Sequence, residues 1–139
     1  PFWQKAKLFN TQTLEYSISK TFNPTNIRGL GDQPILTQTA DGRKLMIEGT
    51  ILLRLDVNQI PTIWQTIGED FVAKIVRPTI QSRLRMVASR FHSDDVLGSQ
   101  RDQVEHETKS ELERIFYPRG IFVENVLLSD LGLHEERRG

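Results

Sequence analysis

The chain has 139 residues, with eighteen Lys and Arg balanced by eighteen Asp and Glu, 37% hydrophobic residues and no cysteine. That length suits one domain with a real core, since folding a chain of this mass buries roughly two-thirds of its unfolded surface. A zero net charge argues against a general nucleic-acid binder, and the missing cysteines exclude disulfides, a thiolate nucleophile and Cys-ligated zinc.

The purely aliphatic runs reach only three residues, as at Ile51-Leu52-Leu53, against the ~20 that a spanning helix needs. No signal-peptide stretch is visible. The chain begins at Pro1 rather than Met, so it reads as a processed product or an excised domain. Neutrality also hides an asymmetry. Residues 1–91 hold twelve cations and seven anions, a net of +5, and residues 92–139 hold six and eleven, a net of −5. Such blocks are solvated helix faces or complementary surfaces between domains or subunits.

From residue 13 to 22 apolar and polar residues alternate, with Leu14, Tyr16, Ile18 and Phe22 on one side and Lys20 as the interruption. This is the pattern of a half-buried strand. A loop is expected from Asn23-Pro24 through Gly29, Gly31 and Asp32, then a second strand from Gln33 to Ala40. Asp41-Gly42 predicts a type I′ hairpin turn, with positive φ at both central residues. The return strand places Leu45, Ile47, Gly49, Ile51, Leu53, Leu55 and Val57 on one face. Lys44, Glu48, Thr50, Arg54 and Asp56 take the other, with Met46 and Leu52 as apolar exceptions. An antiparallel hairpin with one buried face follows.

The period then changes. Asn58 caps a short helix with the stripe Ile60, Ile63, Trp64 and Ile67, ended by Gly68. A longer helix starts near Glu69, its core stripe running Phe71, Ile75, Ile80, Leu84, Val87 and Phe91, and Pro78 predicts a kink or break near Arg77. A third helix is expected from about Asp94 to Phe116, with Ser93 as N-cap and the stripe Leu97, Val104, Thr108, Leu112 and Ile115. That stripe is weak where it crosses Gln100 and Arg101. Arg101–Glu105, Glu105–Lys109 and Lys109–Glu113 are spaced as i,i+4 ion pairs. Pro118 and Gly120 stop the helix, and Ile121 to Leu128 reads as a last strand. The expected fold class is α+β, a mainly antiparallel sheet with three or more helices packed on one face.

Catalytic groups do not converge in the pattern. Asp102 and His106 share a helix face, but two ligands do not make a metal site. Ser93 beside His92 lacks a third group to position a base. Gly29-Leu30-Gly31 completes neither a dinucleotide fingerprint nor a P-loop. No catalytic residue, metal, cofactor, nucleic acid or small-molecule substrate is expected. The N-terminal Phe2, Trp3 and Phe9 are interleaved with Lys5 and Lys7, which suits either a membrane–water interface or a flap packed on the sheet.

A resemblance rests on an ordered set of segments. Thr37-Gln38-Thr39-Ala40-Asp41-Gly42 leads into Leu45-Met46-Ile47-Glu48-Gly49-Thr50-Ile51-Leu52-Leu53-Arg54-Leu55. Ile67-Gly68-Glu69-Asp70-Phe71, Arg77-Pro78-Thr79-Ile80, Leu84-Arg85-Met86-Val87, Gln100-Arg101-Asp102 and Gly120 to Leu128 follow in order. The set resembles the SPFH domain of the stomatin–prohibitin–flotillin, or band-seven, family, and is most like the prohibitin branch. The resemblance implies a non-enzymatic, membrane-associated scaffold. Such proteins usually carry an N-terminal anchor, this domain and a long coiled coil. They assemble into homo- or hetero-oligomeric rings that organise membrane regions, and often associate with membrane proteases. Residues 1–11 are then a juxtamembrane-like segment, 12–133 the domain, and 134–139 the start of a helical tail. Neither anchor nor coiled coil appears within these residues, so the isolated domain is expected to be a monomer or weak dimer.

The charge split supplies an expected subunit interface. A basic helix face with Lys74, Arg77, Arg83, Arg85 and Arg90 would meet an acidic one with Asp102, Glu105, Glu107, Glu111 and Glu113. The same faces could instead pair within one subunit or meet water. The competing functional reading is a soluble protein–protein interaction module with no membrane role, working through a strand edge or helix face.

Overall fold

A computed structural model describes residues 11–22, 30–56 and 75–133 of the chain. The expected short helix at 58–68 and the first part, to residue 74, of the helix expected from Glu69 to Phe91 lie outside the described residues, with Trp64 and Phe71, as do Val57, the N-terminal aromatics, Lys74 and the 134–139 tail.

The elements run β1 (Thr11–Ile18), β2 (Leu30–Asp32), β3 (Ile35–Gln38), β4 (Lys44–Asp56), α1 (Arg77–Ala88), α2 (Ser93–Leu97), α3 (Arg101–Phe116), a 3₁₀ turn (Tyr117–Arg119) and β5 (Ile121–Leu133). The fold is α+β, with a mixed, mostly antiparallel five-stranded sheet and three helices packed against it. β4 is the spine. One edge pairs with β5 from Leu45 to Leu55. The other edge pairs with β3 from Lys44 to Ile47 and with β1 from Gly49 to Asp56. β2 adds to the outside of β1 in parallel, with Ser17 opposite Gly31.

Strand alternation places the core as expected. Leu45, Ile47, Ile51, Leu53 and Leu55 of β4 are at most 1% exposed and face the helices with Tyr16, Ile18 and Ile35. Ile80, Leu84, Val87 and Phe91 close over them from α1 and its C-terminal turn. α3 contributes Val104, Thr108, Leu112 and Phe116. At its C-terminal end the stripe steps by four to Phe116, leaving the expected Ile115 only partly buried. Thr108 is tolerated in this layer because its hydroxyl donates to the Val104 carbonyl at 2.8 Å.

Several elements differ from the sequence expectation. The loop at Gly31–Asp32 is the strand β2, too short at three residues to show a period. The second strand contracts to Ile35–Gln38. The break expected near Arg77 is a change of helix type, from the π-helical Ile75 and Val76 to the α-helix that begins at Arg77 with Pro78 in its first turn. The single long third helix is two, broken at Gly98–Gln100 where the stripe was weak. The break rotates α2, so Val96 is buried and the expected core residue Leu97 is 37% exposed. The last strand runs on to Leu133.

Two bulges in the β4–β5 ladder fall at Glu48/Gly49 and Leu52/Leu53. At the second, Val123 and Val126 both reach the core with Glu124 and Asn125 between them outside. Such irregularities raise strand twist and let a long strand wrap the core. At the first bulge β5 comes so close that a Cβ on Gly49 would lie 2.4 Å from the Leu127 carbonyl oxygen.

The β3–β4 turn is also not the expected type I′ turn. Only Gly42 has positive φ, at 81°, and no non-glycine residue does among those described. The Gly42 N–H donates to Thr39 O and the Thr39 N–H to Arg43 O, a three-residue loop ending in one left-handed glycine. This geometry turns Asp41 toward α2. One carboxylate oxygen accepts the Ser93 N–H at 3.0 Å, the other its hydroxyl at 2.7 Å, and Thr39 Oγ1 also donates to Asp41. Ser93 was expected to be the N-cap. Instead His92 holds the extended N-cap position, and Ser93, in the first turn, is capped from the hairpin. The Ala40 N–H bonds the Phe91 carbonyl at 2.8 Å, completing the seam.

Two tests follow from this geometry. Gly49→Ala should destabilise the domain by about 2–4 kcal/mol in urea unfolding, because a rigid backbone oxygen occupies the new methyl's place. The Thr39 and Ser93 hydroxyls hold the Asp41 carboxyl well below the usual carboxylate range. A depressed folded-state pKa stabilises above the unfolded-state value, near 3.9, and that contribution is lost as pH falls through the folded-state value. Asp41→Asn should therefore lower Tm at pH 7 and flatten the fall of Tm with pH below about 4, read by thermal melts.

Candidate functional site

The charged faces of α1 and α3 lie side by side in this one chain. Glu111 is their hub. Its carboxylate is 3.9 Å from Arg83, 3.5 Å from Arg90 and 2.5 Å from Arg114, and Arg90 also reaches Glu107 at 3.3 Å. Glu111 is only 15% exposed, so these contacts are less screened than open surface pairs. Lys109 and Glu113 pair at 3.8 Å farther out along α3.

The remaining arginines of α1 work on backbone. Arg77 Nε donates to Gly31 O at 3.0 Å, and Gln81 donates to Asp32, fastening α1 to β2. Beneath them the Tyr16 hydroxyl is buried beside the Arg77 side chain, with no partner among the described residues at full hydrogen-bond geometry. Burial, then the Asp32 carboxylate, push its phenol above the ordinary range, against a smaller opposing pull from Arg77. Arg85 Nε donates to Leu36 O at 3.2 Å, on β3.

Glu105 and Arg101 were expected to pair with each other. They instead grip one residue of β5, Glu105 accepting the Leu128 N–H at 2.6 Å and Arg101 donating to the Leu128 carbonyl. The next outward N–H, at Val126, is taken by the Asn125 side chain at 3.0 Å. Side chains thereby occupy three outward backbone groups in the middle of the β5 edge, one of the ways proteins guard an edge strand.

The edge of β3 is different. Arg85 caps one carbonyl there, and a groove of about 310 Å3 runs beside it, lined by Leu36, Thr37, Gln38, Lys44, Arg85 and Ser89. On the sheet face away from the helices Leu36 is 38% and Leu127 48% exposed. Arg54 stacks 4.9 Å over the Phe122 ring and lies 3.5 Å from Glu124, while Tyr117 meets Phe122 edge-on.

Of the expected interface residues, Arg83, Glu107 and Glu111 are brought into one network with Arg90. Arg77, Arg85 and Glu105 are each spent on a backbone group elsewhere. Asp102 and His106 are exposed on α3. Among the described residues no group of three or more His, Cys, Asp or Glu could hold a metal ion, and no helix is long and apolar enough to cross a membrane. Sequence reasoning missed the β3 groove. Its only signal was a strand bounded by Pro34 and a turn, which does not say which edge stays open.

Residues 1–138 match the family model described as SPFH domain / Band 7 family. The chain is 31% identical over 98 residues to Prohibitin-2 of Saccharomyces cerevisiae, covering 70% of this chain and 30% of that protein. It is 26% identical over 103 residues to Prohibitin 1 of Mus musculus, covering 74% and 38%. Against Prohibitin 1 of Gallus gallus it is 26% identical over 136 residues, covering 98% and 44%. The chain thus spans less than half the length of these curated relatives. With the family model matched over nearly every residue, the chain belongs to the SPFH / Band 7 family, a non-enzymatic family whose prohibitins are among its relatives.

Proposed function

We propose that this chain is the SPFH domain of a membrane-associated scaffold that assembles into large homo- or hetero-oligomers, organises membrane regions and engages a membrane protease. The family match over residues 1–138 is the observation that carries this reading. Phe2, Trp3 and Phe9 are the proposed lipid contacts. The proposed subunit contact joins Lys74, Arg77, Arg83 and Arg85 of one copy to Glu105, Glu107 and Glu111 of the next. Arg90 keeps 46% of its side chain exposed while paired to Glu107 and Glu111. A neighbouring subunit would extend that network rather than replace it.

Two experiments bear on the two halves of the proposal. In the full-length protein, Arg83→Glu with Arg85→Glu should give smaller, more salt-sensitive particles by sedimentation velocity. Adding Glu111→Arg controls for the broken internal Arg83–Glu111 pair, and unchanged particle size would sink the interface. Liposome flotation tests the membrane half. The chain should float with vesicles containing anionic lipid and cease to do so after Trp3→Ala with Phe9→Ala. No flotation at any composition would favour the alternative, a soluble protein–protein interaction module.

A further inference from the structure

The two long sides of the sheet are finished differently. On β5 the outward N–H and C=O of Leu128 and the N–H of Val126 are taken by Glu105, Arg101 and Asn125. On β3, antiparallel pairing directs alternate residues toward β4 and away from it. The Thr39 N–H bonds Arg43 O, so Thr37 and Ile35 face β4 while Leu36 and Gln38 turn their backbone groups outward. The Arg85 bond to Leu36 O confirms the outward direction. No strand pairs with this edge among the described residues.

We propose that the β3 edge is a docking strip for an extended acidic segment of a partner protein, which would add to the sheet as a further strand. Charge selects the occupant. Among the described residues the groove lining holds no carboxylate, and Arg85 is the cation on its helix side; Lys44, also in the lining, already has a partner of its own. Arg43 is exposed next to it. The nearby Asp41 keeps its negative charge, but its carboxylate is turned to the Ser93 N–H and hydroxyl at the start of α2. Strand periodicity then selects the pattern. A guest residue opposite Leu36 stands on the outer sheet face, where Leu36 and its register partner Met46 form an apolar row. Its neighbours point to the helix side, where Arg85 and Ser89 line the groove. The guest therefore alternates carboxylate and aliphatic residues. Main-chain hydrogen bonds to Leu36 and Gln38 supply register, and Arg85 can turn from the Leu36 carbonyl to a guest carboxylate. The site does not need the membrane scaffold reading, but it shares Arg85 with the subunit contact proposed above, so in an assembled oligomer guest and neighbouring subunit would compete for that side chain.

The probe is the capped peptide Glu-Val-Glu-Val-Glu-Val, titrated into the ¹⁵N-labelled chain. The expected shifts centre on the Leu36 and Gln38 amides, and binding weakens with salt. Gln38→Pro removes an outward N–H without touching the β3–β4 ladder, and Arg85→Glu reverses the selecting charge. Each should weaken binding by about tenfold or more, with unchanged Tm as the check on folding. Should either variant fail to fold, the shift map on the unaltered chain decides. Shifts centred away from β3, equal binding of a Lys-for-Glu peptide, or full binding by a folded Gln38→Pro variant would overturn the proposal. So would the same β3 shifts appearing with protein concentration alone, which would mean that a second copy occupies the edge.

Discussion

The fold depends on β4 being hydrogen-bonded along both edges at once. Thirteen residues, Lys44–Asp56, carry β3 and β1 in succession on one side and β5 on the other. One face must therefore stay apolar over nearly its whole length, because helices cover it. The row from Leu45 to Leu55 meets that demand, with Gly49 as its gap. At Gly49 the β5 backbone at Leu127–Leu128 occupies the place a Cβ would take, so the absence of a side chain there is a packing requirement, not a weakness of the strand. The bulges in the ladder let β5 curve with the core, and Arg101 and Glu105 of α3 take the outward backbone groups of Leu128.

A neutral total charge conceals a division of labour among ionic groups. The net +5 and −5 halves of the chain meet where α1 faces α3, and there Glu111 collects Arg83 and Arg90 from the basic half, together with Arg114 of its own helix. Other charges cap backbone: Asp41 the first turn of α2, Glu105 and Arg101 the edge of β5, Arg85 one carbonyl of β3, and Arg77 one of β2. A charged group bonding a backbone dipole avoids much of the entropic cost of matching two long side chains in water, which keeps exposed ion pairs weak. These one-sided charged contacts add direction to the fastening that the apolar core between helices and sheet supplies.

Much of this architecture was legible residue by residue. Alternation located β1 and β4, and the stripe Ile80, Leu84, Val87 and Phe91 located the buried side of α1. The weak step at Gln100–Arg101 marked the place where one expected helix became two. The errors were local rules overruled by distant partners. Asp41-Gly42 predicts a type I′ turn from its own chemistry, but a carboxylate aimed at Ser93, 52 residues on, goes with a different loop. Arg101 and Glu105 have ideal spacing to pair along a helix, yet an unpaired peptide group on β5 competes successfully for both. The three residues of β2 carry no period at all.

The sequence by itself determined what depends on neighbours a few residues apart: the strand and helix periods, the apolar faces, the charge halves and the ordered segments that resemble the SPFH family. Tertiary structure decided what depends on residues brought together from far along the chain. It set which edge has backbone groups taken by side chains and which lies beside a groove with Arg85, which charges are spent on backbone, and where β5 may approach β4. Periodicity reports which way a side chain points along its own element. Only the packed sheet and helices settle what stands opposite it, and hydrogen bonds and ion pairs answer to that.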